Sequence, residues 1–153
     1  MDIKDREILN LLQKDDKISY KSIADKLDLA ASTVHSRVKK LEEKGIIKSF
    51  SAIVDPAKVG YNTIAWLGLS VDALKMRDIA KSLAEYDEVQ IVATSTGDHD
   101  VVVQLIAENE KKLWRFINNN IKTIEGVKPQ MDVSSFIDTF KLTNFINLKK
   151  NKK

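Results

Sequence analysis

Residues 19–44 read SYKSIADKLDLAASTVHSRVKKLEEK and hold two short helical patterns separated by three residues. Apolar residues three and four positions apart fall on one side of a helix, which gives each pattern an inward face. The inward residues are Ile23, Ala24 and Leu27 in the first pattern, and Val34, Val38 and Leu41 in the second. The connector, residues 28–30, permits only a sharp corner, so the stretch predicts a helix-turn-helix.

The second helix, residues 31–44, has a polar and basic outer face with no acidic residue before Glu42. Small hydroxyl groups allow close approach to a duplex, and Arg and Lys contact phosphates or guanine. The candidate DNA-binding residues are Ser32, Thr33, His35, Ser36, Arg37, Lys39 and Lys40, with Lys48 from the segment that follows. An ordinary solvated helix face is the alternative. The spacing of the two helices and the lack of acids favour binding to double-stranded DNA.

The distribution of charge is more informative than the net charge of +3 over 153 residues. Residues 1–60 carry 12 basic and 10 acidic groups, and residues 61–140 carry 8 basic and 12 acidic groups. Residues 141–153 carry 5 basic groups and no acidic group. Contact with a polyanion is therefore expected to be local, in the first part of the chain or in the basic tail.

Several classes of function find no support in the sequence. The chain has no cysteine, which excludes disulfides and thiol nucleophiles, and no His, Asp and Glu cluster has metal-ligand spacing. We expect no catalytic residues, no metal and no cofactor. The charged N-terminus and the short apolar runs indicate neither a signal peptide nor a membrane span, so a cytoplasmic protein is expected.

The first domain is predicted to cover residues 1–55. Asp2 is a good N-cap for a first helix whose buried stripe is Ile8, Leu11 and Leu12, and Ser19 is placed to cap the second helix. Ala30 or Ala31 opens the third helix, where a Ser or Thr cap is usual, and an alanine cap costs on the order of 1 kcal/mol. The alternative is that Ser32 caps a helix that starts later. Residues 46–55 alternate and are rich in β-branched residues, which predicts the strand of a winged helix-turn-helix. A linker, residues 56–61, follows.

The second domain, residues 62–140, is predicted to have the order β-α-β-β-α-β. The predicted strands are residues 62–71, 89–96, 100–107 and 126–137. The first predicted helix, residues 73–86, is capped by Asp72, and the second runs from its cap at Asn109 to about residue 123. The inward residues are Leu74, Ile79, Ala80 and Leu83 in the first of these helices, and Leu113, Phe116, Ile117 and Ile121 in the second. The fold class is therefore α+β, a winged helix-turn-helix followed by a ferredoxin-like domain.

The strands of this domain are apolar on both sides of the pleat, as in Ile64-Ala65-Trp66-Leu67 and Val101-Val102-Val103. Two helices bury only one face of a four-stranded sheet, and a half-solvated sheet would alternate. A second copy of the same sheet is the simplest cover for the other face. We expect an obligate homodimer with two recognition helices, suited to a pseudo-palindromic site.

The motifs resemble the Lrp/AsnC (feast/famine) family of regulators over nearly the whole chain. The matching pieces are D-x-x-D-x-x-I-L from Asp2, I-A-x-x-L from Ile23, S-T-V-x-x-R-V-x-x-L-E-x-x-G-I-I from Ser32, V-x-x-x-x-V-G from Val54, Val89, T-G-D-H-D from Thr96, and Gly126-Val127. The chain departs from the family at Ala30, where a serine is usual.

The resemblance implies dimers that assemble into octamers or related rings, and an amino acid or similar metabolite bound between sensing domains. The loop matching residues 96–100 lines that site in the family. Its expected members here are Thr96, Gly97, Asp98, His99 and Asp100, with Ser134 and Ser135 from the last strand. Asp98 and Asp100 suit an ammonium group, and hydroxyls and the Gly97 N–H suit a carboxylate. A plain tight turn at Gly97-Asp98 is the alternative.

Two other functions are alternatives to a ligand-responsive regulator. A chromatin-like protein would bind DNA without an effector, and the tail, residues 141–153, would add phosphate contacts unless it is a frayed, solvated terminus, which is the interpretation we favour. Sirohaem decarboxylases resemble the same two-domain fold, but they would need histidines and arginines around a large pocket. This chain has only His35 and His99, and His35 lies on the DNA helix.

Overall fold

The computed structural model describes residues 1–148 and divides the chain into two compact units. The first unit contains residues 1–53 together with the chain from Lys141, and the second contains Val54–Phe140. No helix in residues 1–148 is both long enough and apolar enough to cross a membrane.

The first unit contains three helices, α1 (Ile3–Leu12), α2 (Tyr20–Leu27) and α3 (Ala31–Glu43). Their core is Ile8, Leu12, Ile23, Ala24, Val34 and Val38, with Leu27 packed against it. The inward faces predicted for α2 and α3 are thus confirmed. In α1, Leu9 is buried while Leu11 is only partly buried, because the buried stripe is centred slightly to one side of the predicted one.

The ends of these helices follow the predicted capping pattern. The Asp2 side chain accepts a hydrogen bond from the Asp5 N–H, and the Asp5 side chain accepts one from the Asp2 N–H, which forms a capping box. Ser19 caps α2 through the Ser22 N–H. The corner before α3 is turned by Asp28, whose φ is +53°, and Ala30 makes no side-chain cap.

The strand predicted over residues 46–55 is wrong, because this segment has no regular secondary structure. A strand needs a neighbour that pairs with its N–H and C=O groups, and none of the strands of the described chain pairs with these residues. Ile47 packs on the core of the first unit, but the end of the segment lies in solvent: Ile53 is 90% exposed and Val54 is 58% exposed. The segment that was expected to be a linker contains a 3-10 turn, Ala57–Val59, which ends at Gly60 with φ +96°.

The second unit has the predicted ferredoxin-like order. Its elements are β1 (Thr63–Val71), α4 (Met76–Leu83), β2 (Val89–Thr94), β3 (Val101–Ala107), α5 (Glu110–Phe116), a π-helical turn (Ile117–Ile121) and β4 (Val127–Ser135). The four strands form one antiparallel sheet in the order β2-β3-β1-β4. Asn109 caps α5 as predicted.

Both helices pack on one face of this sheet. Leu67, Val103 and Leu105 are fully buried against Leu83 and Ile117. The alternate residues of β1 and β3 face the other way, where no helix covers them in the described chain. We call this surface the open face; it includes Ile64, Trp66, Ile91, Val102 and Ile106.

The start of α4 differs from the prediction. Asp72 does not cap the helix; its carboxylate binds Lys128, and α4 begins only at Met76 after a turn closed by the Lys75 N–H and the Asp72 carbonyl. Leu74 lies in that turn and is 99% exposed. It does not share the inward face, because helical periodicity applies only after the helix has begun.

Residues 141–147 are exposed, as expected of a solvated terminus, but the tail is not frayed at Ile146 and Leu148, which are held by hydrogen bonds. Ile146 and Leu148 bond through their backbone to the side chains of Gln13 and Asn10 on α1. Four of the tail's five basic residues belong to residues 149–153, which lie outside the described chain.

Candidate nucleic-acid interface and effector loop

The outer side of α3 borders a shallow groove of about 440 Å³ beside the start of α1. It is lined by Met1, Asp5, Ser32, Thr33, Ser36, Arg37, Lys40, Leu41, Lys44 and Ile46. Five of the predicted DNA-binding residues therefore share one surface. Lys44, one turn beyond Lys40, was not singled out in the sequence, although its spacing of four residues places it on the same face.

Arg37 differs from the other residues of this groove because it is already paired. Its Nη1 donates hydrogen bonds to Asp2 and Asp5, each at 2.7 Å. These bonds raise the pKa of Arg37. The pKa of Asp2 is lowered, first by the Asp5 backbone N–H and then by Arg37. This guanidinium therefore links α3 to the capping box of α1.

The remaining predicted residues lie around the same helix. The His35 ring packs edge-on against Tyr20 of α2, with 5.7 Å between the ring centroids. Lys39 approaches Glu43 at 3.9 Å on an exposed surface, where an ion pair contributes little. Lys48 is exposed in the segment after α3, without the strand that was expected to carry it.

The loop between β2 and β3 is fixed to the end of β1. The Ser95 N–H bonds to the Asp100 carbonyl at 2.9 Å, and the Asp100 N–H bonds to the Leu69 carbonyl at 2.9 Å. One carboxylate oxygen of Asp100 accepts the Val71 N–H at 2.8 Å. The Gly97 N–H bonds to Ser95 Oγ at 3.3 Å. Asp98 and Thr96 are exposed.

His99 turns from this loop onto the open face of the sheet. Its Nε2 lies 3.1 Å from Asp132 Oδ2 on β4. The ring covers Gly68 so closely that a Cβ at that position would lie 2.3 Å from His99 Cδ2. Gly68 pairs with Asp132 across the strands, so strand register places all three groups together.

Gly68 and Asp132 were not identified from the sequence. Asp132 is a polar residue between Met131 and Val133, both of which pack on the core, and this alternation is the signal that it faces the open side. The register that joins it to Gly68 depends on two strands that are far apart in the chain. The sequence alone therefore gives no means of pairing them.

Ser134 and Ser135 are not brought to the loop. They pair with Trp66 and Ala65, whereas the loop is fixed near Leu69, which pairs with Met131. Ser134 lies about 10 Å farther along β4, at roughly 3.4 Å per residue. Adjacent strand residues point to opposite faces. Ser134, opposite Trp66, therefore lies on the open face two residues along β4 from Asp132, whereas Ser135, opposite Ala65, lies on the face that the helices cover.

A charged pair lies at the end of β1 where the β2–β3 loop is fixed. Lys128 Nζ is 2.8 Å from Asp72 Oδ1. The hydrogen bond between these side chains raises the pKa of Lys128 and lowers the pKa of Asp72, and Asp100 adds to the effect on Lys128. In residues 1–148, no group of three or more His, Cys, Asp or Glu side chains is placed to hold a metal ion.

Two family descriptions match the chain. Residues 1–48 match a winged helix-turn-helix DNA-binding family, and residues 67–149 match the PF0864 C-terminal dimeric alpha+beta barrel domain. The HTH-type transcriptional regulator FL11 of Pyrococcus furiosus is 39% identical over 128 residues, covering 84% of each chain.

Solved structures have the same fold. Escherichia coli AsnC superposes with a TM-score of 0.87 at 23% identity, covering 95% of this chain and 97% of that one. A transcriptional regulator from Neisseria meningitidis, solved as its L-Met complex, superposes with a TM-score of 0.86 at 23% identity, covering 94% of each chain.

Proposed function

Because this chain belongs to the Lrp/AsnC family of DNA-binding transcriptional regulators, we propose that it recognises a specific DNA sequence and responds to an amino acid or similar small metabolite. The effector changes DNA binding or assembly by binding one state of the protein more tightly than another. The observation that carries the effector proposal is the His99–Gly68–Asp132 arrangement on the open face of the sheet.

The DNA-reading role rests on the exposed side of α3. Ser32, Thr33 and Ser36 lie on its first two turns, from which a recognition helix reaches base edges in the major groove. Lys40, one turn further on, supplies phosphate contact, with Lys39 and Lys48 at the periphery. Arg37 has further N–H groups beyond Nη1, but its bonds to Asp2 and Asp5 keep part of its guanidinium away from DNA.

The effector role rests on two exposed carboxylates and an apolar surface. Asp98 is exposed at the loop, and Asp132 is exposed beside His99, so either carboxylate suits the ammonium group of an amino acid. The His99 ring and Trp66 provide surfaces for an apolar side chain. The L-Met complex of the Neisseria meningitidis protein supports this class of ligand.

A second copy of the chain completes this arrangement in our proposal. Trp66 and Ile91 on the open face are 37% and 44% exposed, and the family of this domain is described as dimeric. Burial of both open faces against each other removes this apolar surface from water. Assembly of such dimers into octamers is a further part of the proposal.

The two alternative functions are less well supported. A sirohaem-decarboxylase-like enzyme would need histidines around a large pocket, whereas His35 packs on Tyr20 and His99 lies directly on Gly68. The curated relatives are named transcriptional regulators. A chromatin-like protein without an effector would bind DNA equally well in the presence of every amino acid.

The effector is tested by titrating the twenty amino acids singly into the full-length protein and measuring heat by calorimetry. We expect saturable binding of at least one of them. Gly68→Ala should weaken that binding at least tenfold, because the added methyl group displaces the His99 ring. Ser135→Ala is the matched control and should bind normally. If no amino acid binds the unaltered protein, the effector proposal fails; if Gly68→Ala binds normally, the site lies elsewhere.

A further inference from the structure

The DNA-binding unit is built from two separate stretches of the chain. The chain leaves this unit between Ile53 and Val54 and returns to it at Lys141, immediately after the second unit ends at Phe140. Two stretches of backbone therefore connect the units. The first contains the turn at Gly60, whose positive φ is a conformation that other residues rarely adopt. The second leads directly to the tail bound on α1.

The tail is held through its main chain by two side-chain amides. Asn10 Nδ2 donates to the Leu148 carbonyl at 3.0 Å, and the Leu148 N–H donates to Asn10 Oδ1 at 3.1 Å. Gln13 repeats the arrangement on Ile146: its Nε2 donates to the Ile146 carbonyl at 3.0 Å, and its Oε1 accepts the Ile146 N–H at 2.8 Å. We call these four bonds the amide clasp.

The spacing of the clasp explains why it fits an extended chain. Residues three apart on a helix have Cβ atoms about 5–6 Å apart, while alternate residues of an extended chain are about 6.6 Å apart. The longer Gln13 side chain makes up the difference. Each amide presents a donor and an acceptor in one plane, so it pairs with a single residue as a neighbouring strand would.

Apolar burial of the docked segment is incomplete. Ile146 is 66% exposed and Phe145 is 38% exposed, although both belong to the docked segment. The four hydrogen bonds fix both the position and the register of the tail on α1. Apolar contacts alone would not select which tail residues lie opposite Asn10 and Gln13.

We propose that the amide clasp is a second tether that limits reorientation of the DNA-binding unit and thereby sets the separation of the two DNA half-sites that a dimer accepts. A unit attached to its neighbour at two points has fewer orientations available than a unit attached through one turn. Asn10 and Gln13 are then positioning residues for half-site spacing. The inference rests on the proposed sequence-specific binding by a dimer.

The test compares the unaltered protein with the Asn10→Ala/Gln13→Ala variant, in which α1 keeps its helical propensity because alanine favours helices. A duplex selected by the unaltered protein from a random pool is rebuilt with 1, 2 or 5 base pairs added between its half-sites. Five base pairs are about half a helical turn and rotate one half-site to the opposite side of the duplex.

We expect the unaltered protein to lose at least tenfold in affinity at the least favourable spacing. In the double variant, this spacing penalty should fall at least threefold, while affinity for a single half-site stays the same. Asn118→Ala, which removes an exposed amide in the second unit, is the control and should keep the full penalty. Truncation after Phe140 should lower the spacing penalty by the same factor. Combining this truncation with Asn10→Ala/Gln13→Ala should lower the penalty no further.

Amide hydrogen exchange distinguishes an absent amide clasp from an absence of sequence-specific DNA binding. The amides of Ile146 and Leu148 should exchange slowly in the unaltered protein and rapidly in the double variant. An unchanged spacing profile in the double variant, with these amides exposed, would overturn the inference. So would rapid exchange in the unaltered protein. Slow exchange without any sequence preference on DNA would contradict the proposed function itself.

Discussion

Arg37 lies on the proposed recognition helix, but its side chain is engaged in ion pairs within the protein. Its guanidinium closes a small network with Asp2 and Asp5 at the start of α1. The sequence places Arg37 on the outer face of α3, but it does not show that two acids from another helix occupy that face. The two acids of the D-x-x-D motif in α1 therefore border the proposed DNA-binding surface.

Replacing both acids tests this role of Arg37. Asp2→Asn/Asp5→Asn leaves Arg37 intact but removes its partners, so α3 is no longer fixed to α1. We expect a lower urea midpoint and weaker binding to DNA. A gain in DNA affinity would contradict the positioning role, because it would mean that the acids only mask Arg37. Asp25→Asn, on the exposed side of α2, is the matched control.

The pH dependence of stability follows from the same network. The folded-state pKa of Asp2 is below its ordinary value of 3.8, so its contribution to stability is complete above that pH and is lost as the pH falls through the folded-state pKa. Acid unfolding of the Asp2→Asn variant should therefore show a weaker pH dependence below pH 3.8 than that of the unaltered protein. Identical acid-unfolding curves would contradict this assignment.

Lys40 is expected to act through charge alone. Lys40→Ala should weaken binding to all duplexes similarly and reduce the slope of log K against log salt by about 0.9, the value for one lost phosphate contact. Lys111→Ala, in the second unit, should leave the slope unchanged. A change of sequence preference in Lys40→Ala would instead assign this side chain to base contacts.

At the scale of elements, the sequence predicts helices and core strands well and predicts isolated segments poorly. The inward faces of α2 and α3 follow from periodicity, because each lies on a continuous core. Residues 46–55 have the composition of a strand, but composition supplies no pairing partner. The sheet register that joins Gly68 to Asp132 and the clasp that joins Asn10 to Leu148 are long-range, and no local pattern encodes either one.

The N-terminus of α3 offers a direct test of local capping. Ala30 makes no side-chain cap, so Ala30→Ser should stabilise the first unit by about 1 kcal/mol, measured by urea unfolding. Ala31→Ser, one position inside the helix, is the control and should be neutral or slightly destabilising because serine is a weaker helix former. Equal effects of the two changes would contradict capping as the cause.

In the proposed dimer of the whole molecule, the open face brings two recognition helices together. Trp66 and Ile91 expose apolar surface there, whereas Leu74 is an exposed apolar residue in the turn before α4. Trp66→Glu and Ile91→Glu should each convert the dimer to monomer in analytical ultracentrifugation, since a buried carboxylate without a partner is costly. Leu74→Glu should remain a dimer. A dimer that tolerates both open-face changes would place the interface elsewhere.

The most direct measurement is binding of the full-length protein to labelled duplex DNA from upstream of its own gene, compared with a scrambled duplex, at two salt concentrations and with or without a pool of amino acids. The account predicts a preference for the upstream duplex that persists at the higher salt concentration and changes when the pool is added. Equal binding to both duplexes that declines together with salt and ignores the pool would contradict it, because phosphate contacts alone would explain such binding.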